Sequence, residues 1–261
     1  MRARRQFNMS TGFTLLEMLA VVAIVAILVG ILVPVIAKQK IKAKATLART
    51  DCSAIANAIT QYHMDNSSRF PLLSRRKAGD RYDGGMTRGG DITFSLHDNS
   101  PIGRKPFTSD MMIILSGLDI PSADGQKINP GNALGGSKGA YLKSELTNDR
   151  EKEGLGPDGI YRDPFGNPYV VTVDKSGDDR CWDMFYGAKE VSGTGPDQKL
   201  DGGADDMPAI GQHGLMKVVN GANVGYVLQG KAMVWSAGPD REISPGAGAL
   251  MDKNYDNIIG W

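Results

Sequence analysis

The chain has 261 residues, of which 41% are hydrophobic and 23% are charged, and its formal net charge is +1. A chain of this length and composition can bury a substantial hydrophobic core. Its near-neutral charge lacks the strongly basic signature of a nucleic-acid-binding protein, so we expect no nucleic-acid partner.

A long apolar segment, residues 18–37, follows a lone carboxylate at Glu17 and contains no charged or polar side chain. It is long enough to cross a bilayer as a helix. A secretory signal peptide has a shorter apolar core followed by a small-residue cleavage site, whereas Lys38 follows this segment directly. Two interpretations remain. A plain membrane anchor explains the length but not Glu17, and a prepilin leader would be cleaved ahead of the apolar segment.

The residues at this boundary carry a resemblance. Gly12-Phe13-Thr14-Leu15-Leu16-Glu17-Met18 resembles the signature of type IV pilins and type II secretion pseudopilins. The resemblance implies that residues 1–12 are a leader peptide, that a prepilin peptidase cuts between Gly12 and Phe13, and that the new amine of Phe13 is methylated. It also implies a filament in which Glu17 of an incoming subunit meets the Phe13 amine of its neighbour. These two residues are four apart and therefore share a helix face.

The apolar segment also contains two residues that weaken a helix. Pro34 lacks an N–H and clashes with the carbonyl four residues earlier, which belongs to Gly30. Glycine is itself a poor helix former. We therefore predict that residues 30–34 kink or unwind. In members of the resembled family such a stretch melts when the helix packs into a filament, and a static kink in a membrane helix is the alternative.

Beyond the membrane segment, apolar residues recur at steps of three and four, which predicts that the helix continues to about Asp65. The predicted stripe consists of Ile41, Ala45, Ala48, Cys52, Ile55, Ile59 and Tyr62. We expect residues 13–37 to form the transmembrane or filament-core helix, 38–66 its amphipathic continuation and 67–261 a globular head. Cys52 and Cys181 can form a disulfide outside the inner membrane, or Cys52 can remain a buried free thiol.

The head reads as loops followed by strands. Residues 67–159 are rich in glycine and turn residues, apart from a predicted helix at 108–118 with Met111, Ile114 and Leu115 facing inward. Residues 169–173 have a strand pattern, and residues 223–229 and 232–236 read as a hairpin around Gly230-Lys231. The predicted fold class is α+β: a pilin-like, long N-terminal helix, half embedded in the membrane, packed on a small antiparallel β-sheet with a loop-rich insertion.

Two segments of the head carry a further resemblance, to the major pseudopilins of type II secretion. Asp163-Pro164-Phe165-Gly166-Asn167-Pro168-Tyr169 is similar to their proline-bracketed turn, and Trp235-Ser236-Ala237-Gly238-Pro239-Asp240 is similar to the strand and loop that follow. That loop holds calcium in family members, so the resemblance implies a calcium ion bound by Asp240, Asp252 and Asp256. The chain departs from the family at Arg241, where a glycine is usual. A loop closed by hydrogen bonds alone is the alternative.

No catalytic signature accompanies these features. The three histidines, His63, His97 and His213, are far apart in the sequence, and neither a G-x-S-x-G motif nor a glycine-rich phosphate loop occurs. We expect a structural subunit and not an enzyme, most simply of a type II secretion pseudopilus. The alternatives are a type IV pilus-like surface fibre for adhesion or motility and, from another class, a membrane-tethered hydrolase or ligand-binding protein.

The resemblance also implies partners and a location. The expected partners are other copies of this chain, the prepilin peptidase, an assembly-platform membrane protein, minor pilins and inner-membrane lipid. The subunit would wait in a bacterial inner membrane with its head in the periplasm, and then join a periplasmic or extracellular filament. Arginines at positions 2, 4 and 5 favour a cytoplasmic N-terminus, whereas the lysines at 38, 40, 42 and 44 argue the opposite way.

Overall fold

The computed structural model describes residues 14–71, 87–88, 90–94, 109–121, 125, 127–135, 139–195, 207–220 and 223–261. The predicted leader and Phe13 lie outside the described residues. Contacts divide the chain into two compact units, Met1–Ala43 and Lys44–Trp261.

The longest element is the helix α1, Leu15–Asp65, which has 51 residues and ends where the apolar periodicity predicted. It continues through Gly30 and Pro34 without a break. Melting of that stretch in a filament stays a prediction, because the isolated chain does not test it. Within the described residues, this is the one helix whose length and composition would suit a membrane span.

The second unit carries the remaining elements. In chain order they are β1 (Thr87–Arg88), β2 (Asp91–Phe94), α2 (Ser109–Leu115), β3 (Gly154–Leu155), β4 (Tyr161–Arg162), β5 (Val170–Val173), β6 (Arg180–Cys181), α3 (Lys189–Ser192), β7 (Met216–Asn220), β8 (Asn223–Gln229), β9 (Ala232–Ser236) and β10 (Ile258–Ile259). Strands β1, β2, β5, β9 and β10 form an antiparallel sheet in that order, β6, β8 and β7 form a second sheet, and β3 pairs with β4. The predicted α+β class is confirmed.

Strands β2, β5, β9 and β10 of the five-stranded sheet are buried on both faces. Because neighbouring residues of a strand point to opposite faces, Val171 and Val173 of β5 join the core against α1, whereas Val170 joins a second core. That second core is rich in aromatic residues, including Tyr186, Tyr226 and Trp235. The α1 residues that the unit buries are Ala48, Cys52, Ile55, Ala58, Ile59 and Tyr62. The predicted stripe is therefore confirmed from Ala48 onward, but Ile41 is exposed.

Helix α2 lies within the predicted range, and all seven of its residues are buried. Met111, Ile114 and Leu115 pack into the core against α1, as predicted. A helix this short cannot form stably by its own propensity, so packing on this core is what stabilises it.

The predicted hairpin between β8 and β9 is wrong, although both strands have the predicted bounds. Strand β8 pairs with β6 and β7, whereas β9 pairs with β5 and β10. The linking residues explain the separation. Gly230 donates its N–H to the carbonyl of Asp179, and the Lys231 ammonium contacts the carboxylates of Asp174 at 2.8 Å and Asp179 at 2.6 Å. The link is thus fixed to the connection between β5 and β6, and each strand enters a different sheet.

The disulfide between Cys52 and Cys181, which the sequence left open, is not formed. Both thiols are free and buried. Cys52 lies in the core against α1 and Cys181 in the second core, on opposite sides of the five-stranded sheet. Desolvation raises the pKa of both thiols, which keeps them protonated and unreactive.

Candidate functional site

The first turn of α1 is closed by a reciprocal pair of side chains. Glu17 Oε2 accepts hydrogen bonds from the Thr14 N–H and the Thr14 hydroxyl, each at 2.8 Å, and the Glu17 N–H donates to Thr14 Oγ1 at 3.2 Å. This arrangement is a capping box, with Thr14 before the helix and Glu17 three residues later. Our sequence reasoning missed it, although the Thr-x-x-Glu spacing was visible.

Every described residue of the first unit, from Thr14 to Ala43, is exposed. The exposed residues include large apolar side chains such as Leu15 at 85% and Ile27 at 65%. An apolar surface this extensive needs lipid or protein around it. Met18 begins the uncharged segment directly after Glu17, so the one carboxylate of the helix start lies at the edge of this apolar surface.

The proline-bracketed turn is built around the buried carboxylate of Asp163. Its Oδ1 accepts the N–H groups of Phe165 at 2.9 Å and Asn167 at 2.7 Å, and its Oδ2 accepts the Asn167 amide at 3.0 Å and the Ser236 hydroxyl. Gly166 has φ 91°, a conformation that favours glycine. These contacts fix the backbone of the turn, which lies directly before β5, as its sequence predicted.

The same turn is joined to the loop after β9. The Asn167 side chain donates to the Gly238 carbonyl at 2.7 Å, and the Gly238 N–H donates to Ser236 Oγ at 3.1 Å. Gly238 has φ 72°, and a Cβ there would lie 2.1 Å from the Asp256 carbonyl oxygen. The two segments that carry the second resemblance thus meet in the structure, with no space for a larger residue at Gly238.

Within the second unit, this region also contacts the C-terminal part of α1. The Tyr169 hydroxyl donates to Asp51 Oδ2 at 2.9 Å, and Lys44 Nζ donates to the Pro164 carbonyl at 2.7 Å. Lys44 also lies over the Phe165 ring, 5.3 Å from its centre. Burial raises the pKa of Asp51, although the Tyr169 bond opposes that shift. The proline-bracketed turn therefore fixes the helix to the sheet.

The loop after β9 brings together two of the three predicted calcium ligands. The Asp240 N–H donates to Asp256 Oδ2 at 3.0 Å, and Asp240 Oδ1 accepts the Glu242 N–H at 2.8 Å. Asp252 begins a short 3-10 turn, Asp252–Asn254, and its side chain is exposed. Across the described residues, no three His, Cys, Asp or Glu side chains are grouped to hold a metal ion. Calcium binding stays a prediction that rests on the resemblance.

Comparison with known proteins finds similarity in the N-terminal region and to one kind of secretion protein. The family described as the prokaryotic N-terminal methylation motif matches residues 7–33. The chain is 41% identical over 61 residues to the type II secretion system core protein G of Pseudomonas aeruginosa. The aligned stretch covers 23% of this chain and 43% of that protein. No solved structure matches the chain significantly.

Two further relatives carry the same name. The protein from Vibrio cholerae is 43% identical over 63 residues, covering 24% of this chain and 43% of the relative. The protein from Aeromonas hydrophila is 41% identical over 75 residues, covering 29% and 49% respectively. The chain thus covers less than half the length of these curated relatives. The methylation motif and these relatives together support the conclusion that the chain is a pseudopilin-like protein.

Proposed function

We propose that this chain is a structural subunit of a type II secretion-like pseudopilus. It is cleaved after Gly12 by a prepilin peptidase, methylated at Phe13 and added to a helical filament of its own copies. The observation that supports this most strongly is the methylation motif over residues 7–33, which includes the cleavage junction and Glu17. The relatives named type II secretion system core protein G support the choice of a pseudopilus.

The contacts of Glu17 suggest how processing and assembly are coupled. Before cleavage, Glu17 Oε2 accepts hydrogen bonds from two neutral donors of Thr14, its N–H and its hydroxyl. Cleavage would place a cationic amine on Phe13, one residue before Thr14. A charged donor makes a stronger hydrogen bond than a neutral one. In apolar surroundings the carboxylate would therefore favour an amine, first its own and then that of a neighbouring subunit.

The exposed apolar half of α1 gives the energetic basis for a filament. In the inner membrane this surface would be covered by lipid. In the filament the same surface would pack against other copies, with residues 67–261 of each copy as its periplasmic head. The subunit would then act mechanically and not as a catalyst. Its assembly would require the prepilin peptidase, an assembly-platform membrane protein and minor pilins.

Reconstitution in a bacterium tests this function. The full chain is co-expressed with a prepilin peptidase and a type II secretion assembly platform, and sheared fibres are examined by electron microscopy. We expect short fibres from the wild type and none from Gly12→Val or Glu17→Ala, with Glu17→Ala still cleaved and inserted in the membrane. Fibres from Gly12→Val would contradict the proposal, and long surface fibres from the wild type would favour the pilus-like alternative.

A further inference from the structure

The loop between β9 and β10, residues 238–256, is closed around one buried side chain. Asn254 is 1% exposed. Its Nδ2 donates to three backbone carbonyls, those of Ser244 at 2.8 Å, Ala247 at 3.1 Å and Gly248 at 3.2 Å. Its Oδ1 accepts the Ser244 N–H at 2.8 Å. The side-chain amide of Asn254 thus joins the end of the loop to residues 244–248, and we refer to this amide as the amide clamp.

Three carbonyl oxygens that converge on one atom are the kind of environment in which a hard cation binds. Here the atom at the centre is a nitrogen whose two hydrogens are shared among the three oxygens. A calcium ion bound by all three carbonyls would have to lie where this nitrogen lies, so the ion and the amide cannot occupy the position together. The amide clamp therefore takes the place that an ion would need in this part of the loop.

Three of the four carboxylates of the loop, those of Asp240, Glu242 and Asp256, take part in other contacts. Glu242 forms an ion pair with Lys253, and this pair raises the pKa of the lysine. Asp256 accepts the Asp240 N–H, and Asp240 accepts the N–H of Glu242. Arg241 follows Asp240 directly and brings a positive charge to the position that the resemblance assigns to a glycine. These residues do not fit the calcium site that the resemblance implies.

The loop is also fixed to the second core at two points. Ile243 is 3% exposed and packs among the aromatic residues of that core, and Ala249 is fully buried. The Ala249 N–H donates to the Val191 carbonyl of α3 at 2.9 Å. The three carbonyl groups that the amide clamp contacts lie between these anchor points in the sequence, at positions 244, 247 and 248.

We propose that the amide clamp of Asn254 holds this loop closed in place of a calcium ion, so that folding of the head is independent of calcium. The inference concerns the head alone and does not depend on filament assembly. It differs from what the resemblance implies for this loop, and it makes Asn254 the residue that fixes the loop.

The test uses the full chain in detergent micelles and two measurements made in EGTA and in millimolar calcium. The first is the Tm, and the second is hydrogen–deuterium exchange of peptides that cover residues 243–257. We expect the wild type to have the same Tm and the same protected Ser244 amide in both buffers. Asn254→Ala should lower the Tm by roughly 5–10 °C in both buffers and release the protection, because several buried hydrogen bonds are lost.

Two further variants separate the amide clamp from an ion site. Asn254→Asp keeps the shape but directs a carboxylate at three carbonyls, so it should be destabilised in EGTA and partly rescued by calcium. Asp252→Asn is the matched control at an exposed residue of the same loop, and it should leave both measurements unchanged. Asn257 Oδ1 is a buried oxygen for which the described residues provide no hydrogen-bond partner, so an ion beside Asp256 is the competing outcome. A wild-type Tm that rises with calcium, together with loss of that rise in Asp252→Asn or Asp240→Ala, would overturn the proposal.

Discussion

Replacement of Asp163 tests how the head is held together. The carboxylate is fully buried and accepts four hydrogen bonds, from two backbone N–H groups, the Asn167 amide and the Ser236 hydroxyl. Asp163→Ala leaves all four donors without their acceptor. Asp163→Asn keeps the shape but turns one acceptor oxygen into a donor.

The size of the effect follows from these contacts. A hydrogen bond to a charged group contributes about 1.5–3 kcal/mol, and a buried donor left unpaired costs about 1–3 kcal/mol. The four contributions share one carboxylate and are not additive. We therefore expect Asp163→Ala to lower the free energy of unfolding by about 3–5 kcal/mol and Asp163→Asn by about 2–3 kcal/mol. Because the turn also fixes Lys44 through the Pro164 carbonyl, the variants should loosen the contact between α1 and the head.

The assay is urea unfolding of the full chain in detergent, followed by tryptophan fluorescence, to which the buried Trp182 and Trp235 contribute. Asp149→Asn is the matched control, since this aspartate, whose side chain is 44% exposed, also accepts a backbone N–H, from Glu151 at 3.0 Å. The control should change the free energy of unfolding by less than about 0.5 kcal/mol. An Asp163→Asn variant as stable as this control would refute the reasoning that the turn is organised by its carboxylate.

Three other perturbations have defined outcomes. Tyr169→Phe removes the 2.9 Å bond to Asp51 and should cost about 1–2 kcal/mol in urea unfolding, and an unchanged midpoint would count against that contact. Thr14→Val removes the capping box, so amide exchange in the first turn of α1 should quicken, whereas equal exchange rates would show that the cap is not formed. Burial raises the pKa of Asp91 to about 6, above its value of about 4 in the unfolded chain. The native state then binds the proton more tightly, so this group lowers stability as the pH rises from about 4 to about 6. Relative to the wild type, Asp91→Asn should therefore gain about 2–3 kcal/mol between pH 4 and pH 7, and a difference that does not vary with pH would show that Asp91 titrates normally.

The parts of the fold that local patterns encode were predictable from the sequence. The apolar periodicity gave α1 to its last residue, and Asp163 with its two prolines gave the turn before β5. The partners of β8 and β9 were not predictable, because Gly230-Lys231 has the sequence of a hairpin turn. Its ion pairs with Asp174 and Asp179 depend on residues more than fifty positions earlier in the chain. Local sequence does not reveal such distant contacts.

The candidate site shows the same division. The capping box of Thr14 and Glu17 is a local motif and could have been recognised from its spacing. The amide clamp could not, because Asn254 reaches carbonyls six to ten residues earlier along an irregular loop. Nothing in the residue type distinguishes a buried asparagine of this kind from one in an exposed turn.

The central claim is that this chain is a prepilin-type subunit, and the mass of its mature N-terminus tests that claim most directly. The full chain is co-expressed with a prepilin peptidase, extracted from the membrane and measured by intact-mass and N-terminal fragment spectrometry. The account predicts a chain that begins at Phe13 and carries one added methyl group on its amine, with Gly12→Val retaining the leader. A wild-type chain that keeps its leader in the presence of active peptidase, or one cleaved beyond the apolar segment, would contradict the account.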